Sequence, residues 1–188
     1  NPETPEKLRQ TKSQPVPTGG GRGKELWVAV LPFKSSGDAE MDSFANGLVE
    51  DITTGLSRFG YLSVIASDAV ARLKGQTGDE KVLGERVGAR YVLQGSIRRG
   101  GSSIRVTAQL VDTGTRTQLW AETYNRDLQA HTIFDAQDDV AARIVATVAD
   151  SYGVLVRSMR GAIRQKDDAE LTPAEWQFQF FAYREQIT

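Results

Sequence analysis

The sequence predicts an α/β fold of the α+β kind: a mixed sheet of about five strands, helices packed on it, and a long C-terminal helix. Three patterns predict it. Residues 26–33 form a continuous apolar run of strand length, three segments after residue 90 alternate apolar and polar residues in series, and residues 41–60 and 133–163 repeat apolar residues at helical spacing.

Residues 1–23 precede the first element, and their composition is that of a flexible linker. Pro2, Pro5, Pro15 and Pro17 alternate with charged residues, and Gly19, Gly20, Gly21 and Gly23 close the stretch. The glycine cluster before Lys24 invites a phosphate-loop reading, but the pattern needs Gly at position 18 and Ser or Thr after the lysine, where this chain has Thr18 and Glu25. It also precedes a strand, whereas a phosphate loop follows one and opens a helix. The chain opens on Asn1 and not on Met, so it reads as an internal piece of a longer protein.

The run at 26–33 lacks polar residues, as a central strand covered on both faces does. Ser35, Ser36, Gly37 and Asp38 then read as a turn. Over 41–60 the residues Phe44, Leu48, Ile52, Leu56 and Phe59 make one apolar helix face. Residues 62–65 read as a short strand, 68–73 as a helical turn and 79–87 as a short helix.

From Arg90, Tyr91, Leu93 and Ile97 fall on one face of a strand and Val92, Gln94 and Arg98 on the other, until Gly100-Gly101 marks a hairpin turn. The next strand turns Ile104, Val106, Ala108 and Leu110 inward. A turn over 112–116 leads to a third strand, 117–127, with Trp120 and Tyr124 on one side, read as core aromatics. The stripe Val140, Ile144, Val148, Tyr152, Leu155 and Met159 defines the long helix over 133–163, bent at Gly153. Thr172-Pro173-Ala174-Glu175 signals a further helix start, and that helix is rich in aromatics, Trp176 and Phe180 among them. An aromatic helix needs a cover, expected in downstream sequence.

Composition excludes several classes of function. With Cys 0 and His 1 there is no disulfide framework, no thiolate nucleophile and no basis for a cysteine- or histidine-rich metal site. A formal charge of −1 gives no net positive field for nucleic acid or an anionic membrane. No stretch is apolar enough for a membrane span. His131 reads as a solvent-exposed residue at a helix entry. Glu50 with Asp51 and Asp138 with Asp139 are adjacent on helices, so each pair diverges by about 100° and reads as solvated charge. No catalytic residue, cofactor or metal is assigned. Arg98, Arg99 and Arg105 near one hairpin, with Trp176 and Phe180, form the candidate interaction surface.

The ordered middle of the chain resembles the TolB amino-terminal-like domain of bacterial adenylate cyclase-type and winged-helix regulator proteins. The resemblance rests on many short blocks in order: Val28-Ala29-Val30-Leu31-Pro32-Phe33, Phe44-Ala45-Asn46-Gly47-Leu48, Tyr91-Val92-Leu93-Gln94-Gly95-Ser96, Val106-Thr107-Ala108-Gln109-Leu110 and Leu119-Trp120-Ala121-Glu122. One departure lies in the hairpin after Asp112: Thr115-Arg116 stands where the family places Thr-Gly, and Gly114 is expected to supply the positive φ instead.

With the linker over 1–23, the resemblance implies a TolB-like domain over 24–164 and the opening of tetratricopeptide-like helical repeats over 165–188. It implies a non-catalytic regulatory module of a larger signalling protein, with an effector upstream, protein partners or self-association, and the repeats as a partner in cis. Relatives often carry a membrane span before the module, so a periplasmic location is expected, with a cytoplasmic one as the alternative. The alternative function is a sensor that binds a metabolite or nucleotide in the groove between sheet and helices.

Overall fold

The computed structural model describes residues 27–36, 39–65, 70, 86–130 and 132–184. Its first strand, β1 (Trp27–Val30), pairs in parallel with two others: residues Ser63–Ile65 on one side and Tyr91 to Leu93 on the other. Val28 and Val30 are buried in the main core on one face. Ala29 on the opposite face joins a smaller core with Leu31, Ile65, Val70, Ala89 and Val92. Burial on both faces explains why this run carries no polar residue.

The segment expected as a turn is instead partly a strand. β2 (Lys34–Ser36) returns to pair in parallel with the far half of the ten-residue strand that β1 abuts, Lys34 opposite Ser96 through Ser36 opposite Arg98. That strand outruns the four residues of β1, and its remaining N–H and C=O groups need partners. The sheet therefore has six strands.

Helix α1 (Ala39–Ser57) buries Met41, Phe44, Leu48, Ile52 and Leu56, as the spacing requires. It ends before Phe59, which packs against the core from the following turn. β3 (Ser63–Ile65) is the short edge strand beyond β1. The helical turns expected over 68–73 and 79–87 lie largely outside the described residues.

The antiparallel meander follows as β4 (Tyr91–Gly100), β5 (Ser103–Asp112) and β6 (Thr117–Asp127). Gly100 faces Ser103 across a two-residue loop in which Gly101 takes φ 62, the left-handed conformation such hairpins demand. In the second hairpin the positive φ falls on Arg116 (φ 58) and not on Gly114, a correction to the expectation. Asp112 organises that turn: its Oδ1 accepts from the Gly114 N–H at 2.9 Å and the Thr115 N–H at 3.3 Å.

Tyr91, Leu93, Ile97, Ile104, Val106, Ala108, Leu110 and Tyr124 line the inner face of the meander and are buried with the helices; Trp120 packs partly buried at its margin. The C-terminal apolar stripe runs through two helices, α2 (Ile133–Ala149) and α3 (Val154–Ile163). The chain breaks between them where a bend was expected. Asp150 and Gly153 are both extended, and a Cβ on Gly153 would sit 2.7 Å from the Val148 carbonyl oxygen, so only glycine allows this close a junction. Tyr152, read as part of the stripe, falls in the break and is 71% exposed. A 3-10 turn (Asp168–Glu170) then leads into α4 (Pro173–Arg184).

Candidate interaction surfaces

The local chemistry of α4 fixes one face and frees the other. The Thr172 hydroxyl accepts from the Glu175 N–H at 3.3 Å, and Glu175 Oε2 accepts from the Thr172 N–H at 2.8 Å, a reciprocal cap that satisfies two helix-end donors. Pro173 at the first helical position loses no hydrogen bond there. Glu175 Oε1 takes a charged bond from Lys166 Nζ at 2.7 Å, and the carboxylate is 1% exposed. Three residues on, Phe178 is 2% exposed and meets Tyr61 edge-on at 5.8 Å. The Tyr61 hydroxyl donates to the Ala149 carbonyl, tying this contact to the end of α2.

Phe178 thus seats α4 on the domain, and Glu175, one turn before it, ties the helix to Lys166 in the segment that leads into it. Trp176 and Phe180, spaced i, i+4, share a different side and are 48% and 61% exposed. Two large exposed aromatics one turn apart on a helix are candidates for a contact surface.

The three arginines expected to cluster are divided by strand alternation. Arg98 faces Arg105 across β4 and β5, on the sheet face away from the helices. Arg105 Nε donates to Asn125 Oδ1 at 2.9 Å, and Thr107 and Thr123 share a hydroxyl contact at 3.3 Å beside it. Arg99 projects to the other face and pairs with Glu40 of α1 at 2.5 Å. The outward face of the meander is accordingly polar, with two arginines in it.

Two acidic residues read as solvated charge are structural. Asp51 accepts from Gln137 Nε2 at 2.5 Å, linking α1 to α2. Asp139 accepts from Arg126 of β6 at 2.7 Å and from Arg143 one turn along its own helix at 3.0 Å. Burial acts to raise the Asp139 carboxyl, but these two guanidinium groups outweigh it and hold it below the usual carboxylate range. The Tyr124 phenol is pushed far above its ordinary value, first by burial and then by its bond to Glu122 at 3.1 Å. The i, i+4 spacing of Asp139 and Arg143 was a readable signal for an ion pair; the reach from Arg126 depends on where β6 meets α2, which no local pattern encodes.

An open groove of about 570 Å³ runs between α1 and α2, floored by Gly55, Phe59, Ala141 and Val145 and rimmed by Asp51, Arg58, Asp138 and Asp150. Among the described residues no three acidic or histidine side chains converge in a way that would hold a metal ion. No described helix is long and apolar enough to cross a membrane.

The chain is similar to several known proteins. A protein of Rhizobium meliloti (strain 1021) named "Putative adenylate cyclase 3" is 46% identical over 119 residues, 63% of this chain and 20% of that protein. The chain therefore spans about a fifth of that relative's length. Among solved structures, TolB from Acinetobacter baumannii matches 64% of this chain and 27% of its own at 22% identity, TM-score 0.43. Lipoprotein GNA1162 from Neisseria meningitidis matches 66% of this chain and 99% of its own at 17% identity, TM-score 0.47. Residues 24–143, well over half of the chain, match the model of the second domain of HilA/YgeH-like transcriptional regulators, and the chain belongs to that family.

Proposed function

We propose that this domain is a non-catalytic regulatory module that works through protein–protein contact, with the Trp176–Phe180 side of α4 as its docking point for a following helical segment in the same chain. One observation carries this reading. Phe178 seats α4 on Tyr61 of the domain and Glu175 fastens its start to Lys166, while Trp176 and Phe180 stay 48% and 61% exposed, so the helix is positioned before any partner arrives. Preorganisation of this kind lowers the entropic cost of docking. In this reading residues 1–23 are a linker to an upstream effector, 24–164 the regulatory domain and 165–188 the opening of helical repeats. Membership of a regulator family and the likeness to a cyclase-named protein both support a regulatory role.

The test places a photo-cross-linking residue at Phe180 in a chain extended through the coding sequence that follows. The expected product is a cross-link from position 180 to residues downstream of Thr188. Cross-links confined to the domain body, or none, would overturn the docking role. The periplasmic placement depends on an upstream membrane span, and a phosphatase fusion after Thr188 that is active only outside the cytoplasm tests it.

The groove between α1 and α2 favours a second reading, a small-molecule sensor. Its volume of about 570 Å³ suits a metabolite-sized ligand. It opens between two helices and not between sheet and helices, so a bound ligand would act on the α1–α2 contact. A thermal-shift screen separates this reading from the first, because a ligand that binds only the folded state must raise the melting temperature.

A further inference from the structure

We propose that the free edge of β6 pairs with the same edge of a second copy of this chain, antiparallel, to form one continuous sheet across a dimer. The two-residue loop Gly101-Ser102 makes Gly100 and Ser103 a hydrogen-bonded pair. Alternate pairs follow along the ladder, and the Thr113 N–H bond to the Arg90 carbonyl at 2.8 Å fits that phase. The even-numbered residues of β5 therefore turn their N–H and C=O groups to β6. The Leu128 N–H bond to the Ser102 carbonyl at 2.8 Å extends this second ladder in the same phase. In β6 it is Ala121, Thr123, Asn125 and Asp127 whose backbone donors and acceptors point away from the sheet.

β6 is the last strand in the sheet order, and those four residues are all exposed. Natural edge strands are blunted by shortness, proline, a bulge, a covering segment or charged side chains, lysine above all. β6 has eleven residues with no proline and no lysine, and the bulge opposite Leu110/Val111 lies at its start and leaves residues 120–127 regular. Among the described residues the edge is long, and the charges of Glu122, Arg126 and Asp127 are the blunting device it carries.

Charge selects a second copy as the partner. Consider the antiparallel register in which Thr123 faces Asn125 of the second copy and Ala121 faces its Asp127, each pair exchanging two backbone bonds. The alternate, closer pairs are then Tyr124 with Tyr124, and Glu122 with Arg126 in both directions. Opposite charges meet twice, and no like charges face each other. Arg126 already lies along Asp139, so Glu122 of the second copy would complete an acidic bracket around one guanidinium. A strand complementary in charge to its own reverse is suited to a two-fold interface.

Sedimentation of the 188-residue chain over a concentration series tests this. The expected result is a reversible dimer that Thr123→Pro and Glu122→Lys each weaken at least tenfold. Thr123→Pro removes an outward N–H that the β5 ladder does not use, a position where an edge strand tolerates proline. Glu122→Lys sets like charges against Arg126 of the second copy. Circular dichroism and melting temperature of both variants are expected to stay near those of the parent chain, which keeps loss of pairing separate from loss of fold. Replacing Trp176 and Phe180 by Ser should leave the dimer intact. A chain that stays monomeric at every concentration, a dimer indifferent to both β6 variants, or one abolished by the Trp176/Phe180 change would overturn the proposal. The last outcome would leave the aromatic face of α4 as the self-association site.

Discussion

Glu175 caps its helix and also neutralises Lys166, and both tasks fall on one buried carboxylate. Losing a helix cap costs about 1 kcal/mol, and breaking a fully buried ion pair about 3–5 kcal/mol. Lys166 keeps some solvent contact, so Glu175→Ala should cost roughly 2 kcal/mol and loosen α4 first, as chemical denaturation with hydrogen exchange would show. Asp139 yields a pH prediction. Its carboxyl is held down in the folded chain, so the stabilisation is present above the unfolded value of about 4 and is lost as pH falls through the lower folded value. Asp139→Asn should therefore flatten the stability profile below about pH 4 and lower stability near neutrality. Gly95 leaves no room: a Cβ there would overlap the Thr107 carbonyl and the Phe33 ring. Gly95→Ala should cost about 1–3 kcal/mol through overpacking, read as a fall in melting temperature. The cap at Thr172 was legible from Thr-Pro-x-Glu alone. The burial of Glu175 was not, because it depends on Lys166 returning through the 3-10 turn.

At the scale of elements, every segment with a sustained period was legible. The two-face burial of β1, the inward set Ile104, Val106, Ala108 and Leu110, and the apolar face of α1 all follow from spacing. The misreadings lie where period gives no signal. Ser35 and Ser36 look like a turn because their type favours one, yet β4 needs a partner there. The α2–α3 break hides inside an unbroken apolar stripe, because both helices bury the same side against one core. In the second hairpin Arg116 holds φ 58, a conformation that costs a non-glycine residue roughly 1–2 kcal/mol. Arg116→Gly should recover about 0.5–1 kcal/mol after the added flexibility of the unfolded chain. A higher melting temperature would register it; Gly114→Ala relieves no positive φ and sets a Cβ 3.2 Å from Asp112 Oδ1, the acceptor that organises the turn, so it should not raise the melting temperature.

At the scale of the molecule, the helices cover the inner face of the sheet, the smaller core covers part of the other face, and the meander's outward face stays polar. The fold class was legible because strand and helix periods alternate cleanly along the chain. Of the candidate site residues, Trp176 and Phe180 stand together as an exposed pair, whereas Arg99 is drawn away from Arg98 and Arg105 by the two-residue alternation of its strand. That division follows from the period itself and was already in the sequence. The placement of α4 was not, because the seating of Phe178 on Tyr61 joins residues more than a hundred positions apart. The domain thus presents a helix with two exposed aromatics, the observation behind the proposed docking role. Backbone hydrogen exchange over residues 173–184, compared between the 188-residue chain and one extended through the following coding sequence, tests that assignment most directly. Slowing of at least tenfold on extension, lost when Trp176 and Phe180 are replaced by Ser, is the predicted result; equal exchange in the two chains would contradict it.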